Sequence, residues 1–521
     1  LQLGATSISG LAIESAYGPV DGYVATRSAT GTKTDTPILE IPQAINVVTA
    51  DQVTAQGARN LTQALRYTPG LNTGGFTDRN GIADEITSRG FAPTPLYFDG
   101  AYIPYAGSLG GAPQIDPYTL ERIEVLKGPS SVLYGQNQPG GLINLVSKRP
   151  TTEQRNQVKL GAGSYNRVNG AIDSSGPLDD QKEFSYRIIG VANKGNQQVA
   201  HTHSERLLLA PSLTWSPNDD TSLTLLAQIQ RDDGLEDYQS LPRIGSLDRG
   251  PTGERINRDF FSGDSHYNDY KRNQYIFGYD FSHSFSEDLK YRSTARYTDV
   301  RDRYKGFYLR SFVTDDAGVT DFTQANRVKL DWRQHNIAYT LDNNLEYRFN
   351  TGALEHTTLM GVDYRHFNRK YDGLNAYNVL PVDLYGKNNY DSSSVTPVLD
   401  TKWDNTLRQT GVYLQDQIKL DQWILTIGGR QDWAEIDNKD LLAHTVASQR
   451  NNQFTGRIGP LHQLLRVLPP DLGHRRPRAR RRCFQTDRGR AIRSGCEVPA
   501  AREDADYRVG VPGQTEKRAD R

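Results

Sequence analysis

The stretch Gln274-Tyr275-Ile276-Phe277-Gly278-Tyr279-Asp280-Phe281-Ser282-His283-Ser284 alternates apolar and polar side chains with a period of two, the period of a β-strand. Tyr275, Phe277, Tyr279 and Phe281 share one face, and Gln274, Asp280, Ser282 and Ser284 the other, with Ile276 and Gly278 as exceptions. One face is greasy and the other wet. Leu223–Gln230 repeats the pattern, and further examples start near Phe184, Arg206, Leu289, Ala338, Thr357, Leu407 and Trp423. Roughly a dozen such segments precede residue 460, each of the ~10-residue length that a tilted strand needs to cross a bilayer. Trp423 and Trp433 share a face with Leu425 and Ile427 between them. At ~3.3 Å per residue and a tilt of about 40°, the two indoles stand roughly 25 Å apart along the membrane normal, the spacing of two aromatic girdles. A soluble sandwich would instead turn polar residues outward.

The connections between these segments are unequal, as in a barrel with short periplasmic turns and long outer loops. Gln197–His203 is modest, Trp215–Thr221 and Ser284–Asp288 are short, and Arg231–Tyr267 and Arg301–Gln334 are expected as long loops. Composition agrees with a barrel. In 521 residues with 36% hydrophobic content and a mean hydropathy of -0.65, no apolar run reaches the length of a membrane helix. The formal net charge of +0, with 28 Tyr and 47 Gly, supplies no basic field for nucleic acid. The two cysteines give no disulfide framework. The sequence opens on Leu1, so export is inferred from the remainder of the chain.

Ahead of the strands the pattern differs. Residues 1–45 are rich in Ala, Thr, Ser and Gly through Lys33-Thr34-Asp35-Thr36-Pro37, which predicts an extended, flexible lead-in. Thr49 and Gln52 have capping-box spacing, with Gly57 to close the short helix. Asn60 with Gln63 opens a second helix that places Leu61, Ala64 and Leu65 on one face and ends at Thr68-Pro69-Gly70. Apolar runs such as Ile123–Leu126 and Leu142–Val146 then mix with Gly and Pro turns up to Pro150, which predicts a small α+β domain.

The run Asp116-Pro117-Tyr118, Leu120-Glu121-Arg122-Ile123-Glu124-Val125-Leu126-Lys127-Gly128-Pro129-Ser130-Ser131-Val132-Leu133-Tyr134-Gly135, followed by Pro139-Gly140-Gly141 and Val146-Ser147-Lys148-Arg149-Pro150, resembles the plug of TonB-dependent siderophore receptors. Leu65-Arg66-Tyr67-Thr68-Pro69-Gly70 and Arg89-Gly90-Phe91 add upstream plug signatures. Glu14–Pro19 through Asp35-Thr36-Pro37 resembles the hydroxamate branch, the receptors for ferrichrome and ferrioxamine. The resemblance implies an N-terminal α+β plug inside an all-β transmembrane barrel of about 22 antiparallel strands, of which about the first half is present. The expected divisions are a TonB-pairing lead-in over 1–18, the plug over 19–152, a partial barrel over 153–459 and an anomalous tail over 460–521. It further implies a monomeric, multi-pass protein of the cell outer membrane, contacting its lipid. Transport would be energised by TonB with ExbB and ExbD, and iron would be carried only as the ferric siderophore, with no cofactor. TonB pairs by strand addition with a short segment ahead of the plug, here Ala5-Thr6-Ser7-Ile8-Ser9.

A ferric hydroxamate keeps its metal inside organic oxygens, so its receptor needs aromatic walls and hydrogen-bond donors in place of metal ligands. Residues 96–118 supply Tyr97, Phe98, Tyr102, Tyr105 and Tyr118 without Lys or Arg, which favours a nearly uncharged chelate over a polyanionic catecholate. By resemblance, Arg89 is the plug arginine that meets ligand oxygens. Tyr238 lies at an aromatic contact position of the first long loop, and Ser240 replaces a further aromatic there. Tyr308 and Tyr377 are candidates from later loops, although most loop tyrosines are expected to be girdle or filler residues. The expected contact set is thus Arg89, Tyr97, Tyr105, Tyr118, Tyr238, Ser240, Tyr308 and Tyr377.

An enzyme reading has no support from G-x-S-x-G, G-x-G-x-x-G or phosphate-loop motifs. His201-Thr202-His203 is expected to be solvated, with no metal site. A receptor for another iron chelate, haem or cobalamin is the alternative on the same scaffold. After Gly459 the alternation stops and arginine dominates, as in Arg475-Arg476-Pro477-Arg478-Ala479-Arg480-Arg481-Arg482, with Cys483 and Cys496 in the same tail. Consecutive arginines would each cost ~2 to 4 kcal/mol near the bilayer midplane, so the tail is not barrel. A frameshift near residue 460 is expected, as against a natural basic tail. The open strand edges it would leave predict failed assembly and no transport for this product.

Overall fold

The computed structural model describes residues 14–73, 84–103, 111–237, 241–377, 379–386, 392, 394–462 and 496–498. Its plug is built around a five-stranded sheet of order Ala44–Thr49, Leu120–Lys127, Gly141–Ser147, Leu96–Phe98 and Ala101–Ile103. The central strands Leu120–Lys127 and Gly141–Ser147 are buried on both faces, in keeping with their near-continuous apolar runs.

Both expected helices form where their caps predict. In Ala50–Gln56 the Thr49 hydroxyl accepts the Gln52 N–H at 3.2 Å, and Gly57 closes the helix at φ 61. In Leu61–Leu65 the Asn60 side chain accepts the Gln63 N–H at 2.9 Å, and Leu61, Ala64 and Leu65 face the plug core.

The remainder is one antiparallel sheet of 14 strands running from Arg155–Gly163 through Thr445–His462 to Cys496–Val498, curved around the plug. Among the described residues the first and last long strands do not pair with each other, so the sheet is an open trough. Its parity follows the sequence. Tyr275, Phe277, Val362, Leu414, Trp423, Ile427 and Trp433 point outward and are exposed, while Gln228, Gln230, Gln274, Gln409 and Gln415 face inward and are buried against the plug. The two exceptions in the opening stretch are explained by the plug. Ile276 points inward and joins the plug's apolar core. Gly278 also faces inward, where a Cβ would stand 2.5 Å from the Arg296 side chain and 2.3 Å from the Ala295 carbonyl oxygen.

Two expectations are overturned. Arg301–Gln334 is no loop: the strands Leu289–Thr314 and Thr320–Thr351, of 26 and 32 residues, continue through it as one hairpin beyond the membrane-crossing length. The polar and charged residues that suggested a loop pair with one another across the ladder, as Arg303 does with Asp331 at 2.5 Å. The described part of the lead-in is not flexible either. Thr30, Thr32, Thr34 and Thr36 are buried, and Arg122, fully buried, donates to the carbonyls of Ser15 at 2.7 Å and Gly18 at 3.2 Å. Most of the tail lies outside the described residues, and the last long strand runs to His462, past Gly459.

Candidate functional site

Five consecutive wall strands carry inward aromatics on one level: Tyr270, Tyr304, Trp332, Tyr371 and Trp403. The register sets them side by side, since Tyr270 pairs with Tyr304, Tyr304 with Trp332, and Tyr371 with Trp403. Ring centroids stand 5.9 Å apart for Tyr304 and Trp332 and 6.4 Å for Trp332 and Tyr371, and Tyr371 stacks on Trp403 at 4.8 Å. These separations are those of favourable ring pairs, so the row forms a continuous aromatic ladder. The Arg369 guanidinium lies 4.5 Å over Trp403.

The plug docks beside this ladder through the end of its tyrosine-rich segment. Gly111 donates its N–H to Asp302 Oδ2 at 2.6 Å and accepts from the Asn336 side-chain amide. Gln114 donates its N–H to Gln274 at 2.9 Å, and its side-chain oxygen accepts from Arg206 at 2.9 Å and Arg272 at 2.7 Å. Arg206 also pairs with Asp116 at 3.1 Å and Asp232 at 2.7 Å. The plug segment itself has no cation, but the wall brings Arg206, Arg272 and Arg365 to it, so the site's electrostatics are set from outside the segment that suggested a neutral one.

The expected contact residues divide. Tyr308 packs against the ladder cluster. Tyr377 stands near it, donating to Asp400 at 3.1 Å with the Arg310 guanidinium 5.4 Å from its ring. Tyr97 is buried in the plug, donating to Asn137 at 2.9 Å and packed edge-on against Tyr102 and Tyr134, and burial pushes its phenol well up. Tyr118 packs against Ile189, Val191 and Leu208 of the wall, with the Lys148 and Lys159 ammoniums 4.4 and 4.9 Å from its ring. Arg89 is exposed at φ 51 beside Lys127 and Gly128, on a plug face the trough leaves open, together with Tyr67 and Phe91. Tyr105, Tyr238, Ser240 and the segment Ala5, Thr6, Ser7, Ile8, Ser9 lie outside the described residues.

Sequence reasoning missed the ladder because strand aromatics were assigned to girdles. The signal was their parity: Tyr270 shares a face with Arg272 and Gln274, Trp332 with Gln334 and Asn336, and Tyr371 with Arg369.

Comparison with known proteins places two family models on the chain: "TonB-dependent Receptor Plug Domain" over residues 37–142 and "TonB dependent receptor-like, beta-barrel" over 212–471. The "Ferrichrome outer membrane transporter/phage receptor" of Escherichia coli K12 is 35% identical over 468 residues, which cover 86% of this chain and 62% of the relative. The "Ferrioxamine receptor" of Yersinia enterocolitica is 33% identical, covering 87% of this chain and 63% of the relative. The chain therefore spans less than two thirds of the length of these relatives. Among solved structures, the closed form of the ferric-catecholate import receptor Fiu from E. coli K12 superposes with a TM-score of 0.74 at 20% identity, over 85% of this chain and 66% of that one. The ferripyoverdine receptor of the Pseudomonas aeruginosa outer membrane does so at 0.72 and 22%, over 84% and 57%. These two likenesses concern the fold.

Proposed function

Since the chain belongs to the TonB-dependent receptors, a family of outer-membrane barrels closed by a plug, we propose that the receptor its uninterrupted reading frame would encode serves TonB-driven import of a ferric hydroxamate siderophore, and that this product keeps the binding elements without transporting. The observation that carries this reading is the aromatic ladder beside the plug's docking point at Gly111. Stacked rings cover the organic periphery of a chelate, and the arginines and tyrosine hydroxyls beside them donate to its polarised oxygens. The relatives named for ferrichrome and ferrioxamine support the hydroxamate class.

In this reading the protein is a monomer bounded by outer-membrane lipid and has no catalytic or cofactor chemistry of its own. Ala5–Ser9 pair with TonB, which ExbB and ExbD energise, and Tyr105, Tyr238, Ser240 and Arg89 complete the contact set with Tyr308 and Tyr377. A second reading, an anionic iron chelate, draws support from the Arg369 guanidinium over Trp403 and that of Arg365, 4.9 Å over Tyr102. Tryptophan fluorescence of the refolded chain, titrated with ferrioxamine, ferrichrome and a ferric catecholate, tests the two. The hydroxamates are expected to quench, and quenching by the catecholate alone would overturn the first reading. The composition break after Gly459 is further proposed to be a change of reading frame, and coding DNA whose other two frames hold no Tyr-rich alternation past that codon would refute it.

A further inference from the structure

The hairpin of Arg27–Ser28 and Thr36–Pro37 pushes its connecting loop into the seam between plug and wall. Lys33, at φ 57, leads that loop. Its ammonium lies 2.6 Å from Asp342 and 4.0 Å from Asp363, both on the wall, and 4.1 Å over the Tyr413 ring. Each partner is fixed in turn: Tyr413 donates to the other Asp342 oxygen at 2.6 Å, and Arg430 holds Asp363 at 2.8 Å. The loop is stapled on both sides, by Gln415 to the Thr32 carbonyl at 3.1 Å, by Gln417 to the Thr34 hydroxyl at 2.9 Å and by Tyr134 to the Thr30 carbonyl at 2.9 Å.

Two cavities meet at this point. A narrow one of about 40 Å³ is lined by Tyr97, Tyr102, Thr340 and Arg365, and a wider one of about 300 Å³ includes Asp99, Arg149, Asp280, Arg292 and Asn344 in its lining. Both are also lined by Lys33, Gly100, Tyr134, Thr294 and Asp342. In the larger cavity the Arg292 guanidinium rests on the Tyr17 ring at 3.5 Å with no carboxylate partner among the described residues, and the buried Asn344 Oδ1 has no donor. Such groups suit a compact, oxygen-rich metal chelate.

We propose that the two cavities are successive chambers of one passage along the strands Leu289–Thr314 and Thr320–Thr351, and that Lys33 is the pin that closes it. The pin stands on the hairpin to which the lead-in is tied. Glu14 accepts from the Thr26 N–H at 2.9 Å and from the Arg122 guanidinium at 3.4 Å, and Arg27 binds Asp35 at 2.7 Å, so tension on residues ahead of Glu14 is shared between the buried Arg122 and the hairpin that carries Lys33. Withdrawal of Lys33 leaves Asp342, Asp363, Tyr134 and Tyr413 as polar walls that water or a chelate can solvate. The chelate as cargo rests on the proposed function, and the pin does not.

The test uses the full chain in detergent, with Cys483→Ser and Cys496→Ser as background and Thr340→Cys as reporter in the narrow chamber. Lys33→Ala and Asp342→Asn are each expected to speed labelling by a bulky charged thiol reagent about tenfold, with no further gain in the double variant, whereas Lys33→Arg leaves it slow. Ferrioxamine is expected to slow labelling again in the Lys33→Ala variant. Labelling within about twofold of the parent for both single variants would overturn the pin, as would an equal rise on removing the exposed Lys194. If ferrioxamine binds the parent yet leaves the opened reporter unprotected, the passage is refuted. If it binds neither, the siderophore reading falls while the pin result stands.

Discussion

Removal of Arg296 should detach the plug from the middle of the wall. Its Nη2 donates to Asp99 of the plug at 2.8 Å and to Asp280 of the wall at 2.9 Å, while Nη1 donates to the Tyr279 and Ala295 carbonyls at 2.8 and 2.9 Å. Arg149 of the plug closes the ring, reaching Asp99 at 3.1 Å and also contacting Asp280. Arg296 and Asp99 have side chains only 3% exposed, so solvent cannot replace the lost partner. Breaking such a buried pair costs about 3 to 5 kcal/mol, and because Arg149 remains, the lower end applies to Arg296→Leu. About 3 kcal/mol is roughly a hundredfold in a local opening constant. Hydrogen exchange of the refolded chain reads it at Ser147, whose N–H donates to Asp99 at 2.8 Å, and at Gly100, which donates to Asn144. Arg296→Lys keeps the charge but not four donors in one plane, and should cost about half as much. In a double-mutant cycle with Asp99→Asn, a coupling below about 0.5 kcal/mol would refute the reasoning, because the two residues would then act independently.

Tyr371→Leu removes the ring that links Trp332 to Trp403 and should weaken ferric hydroxamate binding about tenfold, measured by tryptophan quenching; an unchanged affinity removes the ladder from the site. Burial pushes the Glu236 carboxyl well up, opposed by the Gln197 amide that binds it at 2.8 Å. Its protonated form is therefore favoured in the folded state, and the stabilisation present below the ordinary carboxylate value of about 4.3 is lost as pH rises through the raised value of the folded state. Protection factors around Gln197, taken relative to the intrinsic exchange rate at each pH, should accordingly fall as pH rises in the parent and stay flat in Glu236→Gln. In bilayers containing brominated lipid, Trp423 and Trp433 should be quenched and Trp332 spared, and equal quenching of all three would reject the assigned parity.

What was legible in the sequence followed from local rules. Period-two alternation placed Phe277 and Trp423 outward, and capping chemistry placed both helix starts at Thr49 and Asn60. Arg301–Gln334 failed because polar residues on a strand that stands above the membrane are solvated or cross-paired, and period alone does not register them. Lys33–Pro37 failed for a related reason. Small hydroxyl residues are bland in composition, yet alternate threonines can fill a seam whose far wall lies some 380 residues on in sequence, as Gln415 and Gln417 do here. Tyr97 and Tyr118 carried the right chemistry for a ligand wall, but only tertiary packing could distinguish a plug-core ring from a pocket ring.

The composition of the seam between plug and wall bears on how the plug is held. Apolar contacts cross it at few points, such as Ile276 in the plug core and Leu359 with Tyr413 beside Leu133. Most crossings are ionic or amide: Lys33 to Asp342, Arg296 to Asp99, Arg206 to Asp116, Arg430 to the Leu133 carbonyl and Gln274 to Gln114. An apolar seam would be stable in proportion to its area and would expose that area to water on opening. A polar seam resists the loss of any single partner, because the other is left charged and dry, but once the faces part together both sides are hydrated. Its resistance is thus concentrated at the first rupture, and a pull on the lead-in reaches the Arg122 anchor and the Lys33 hairpin before the ion-pair rings at Arg296 and Arg206.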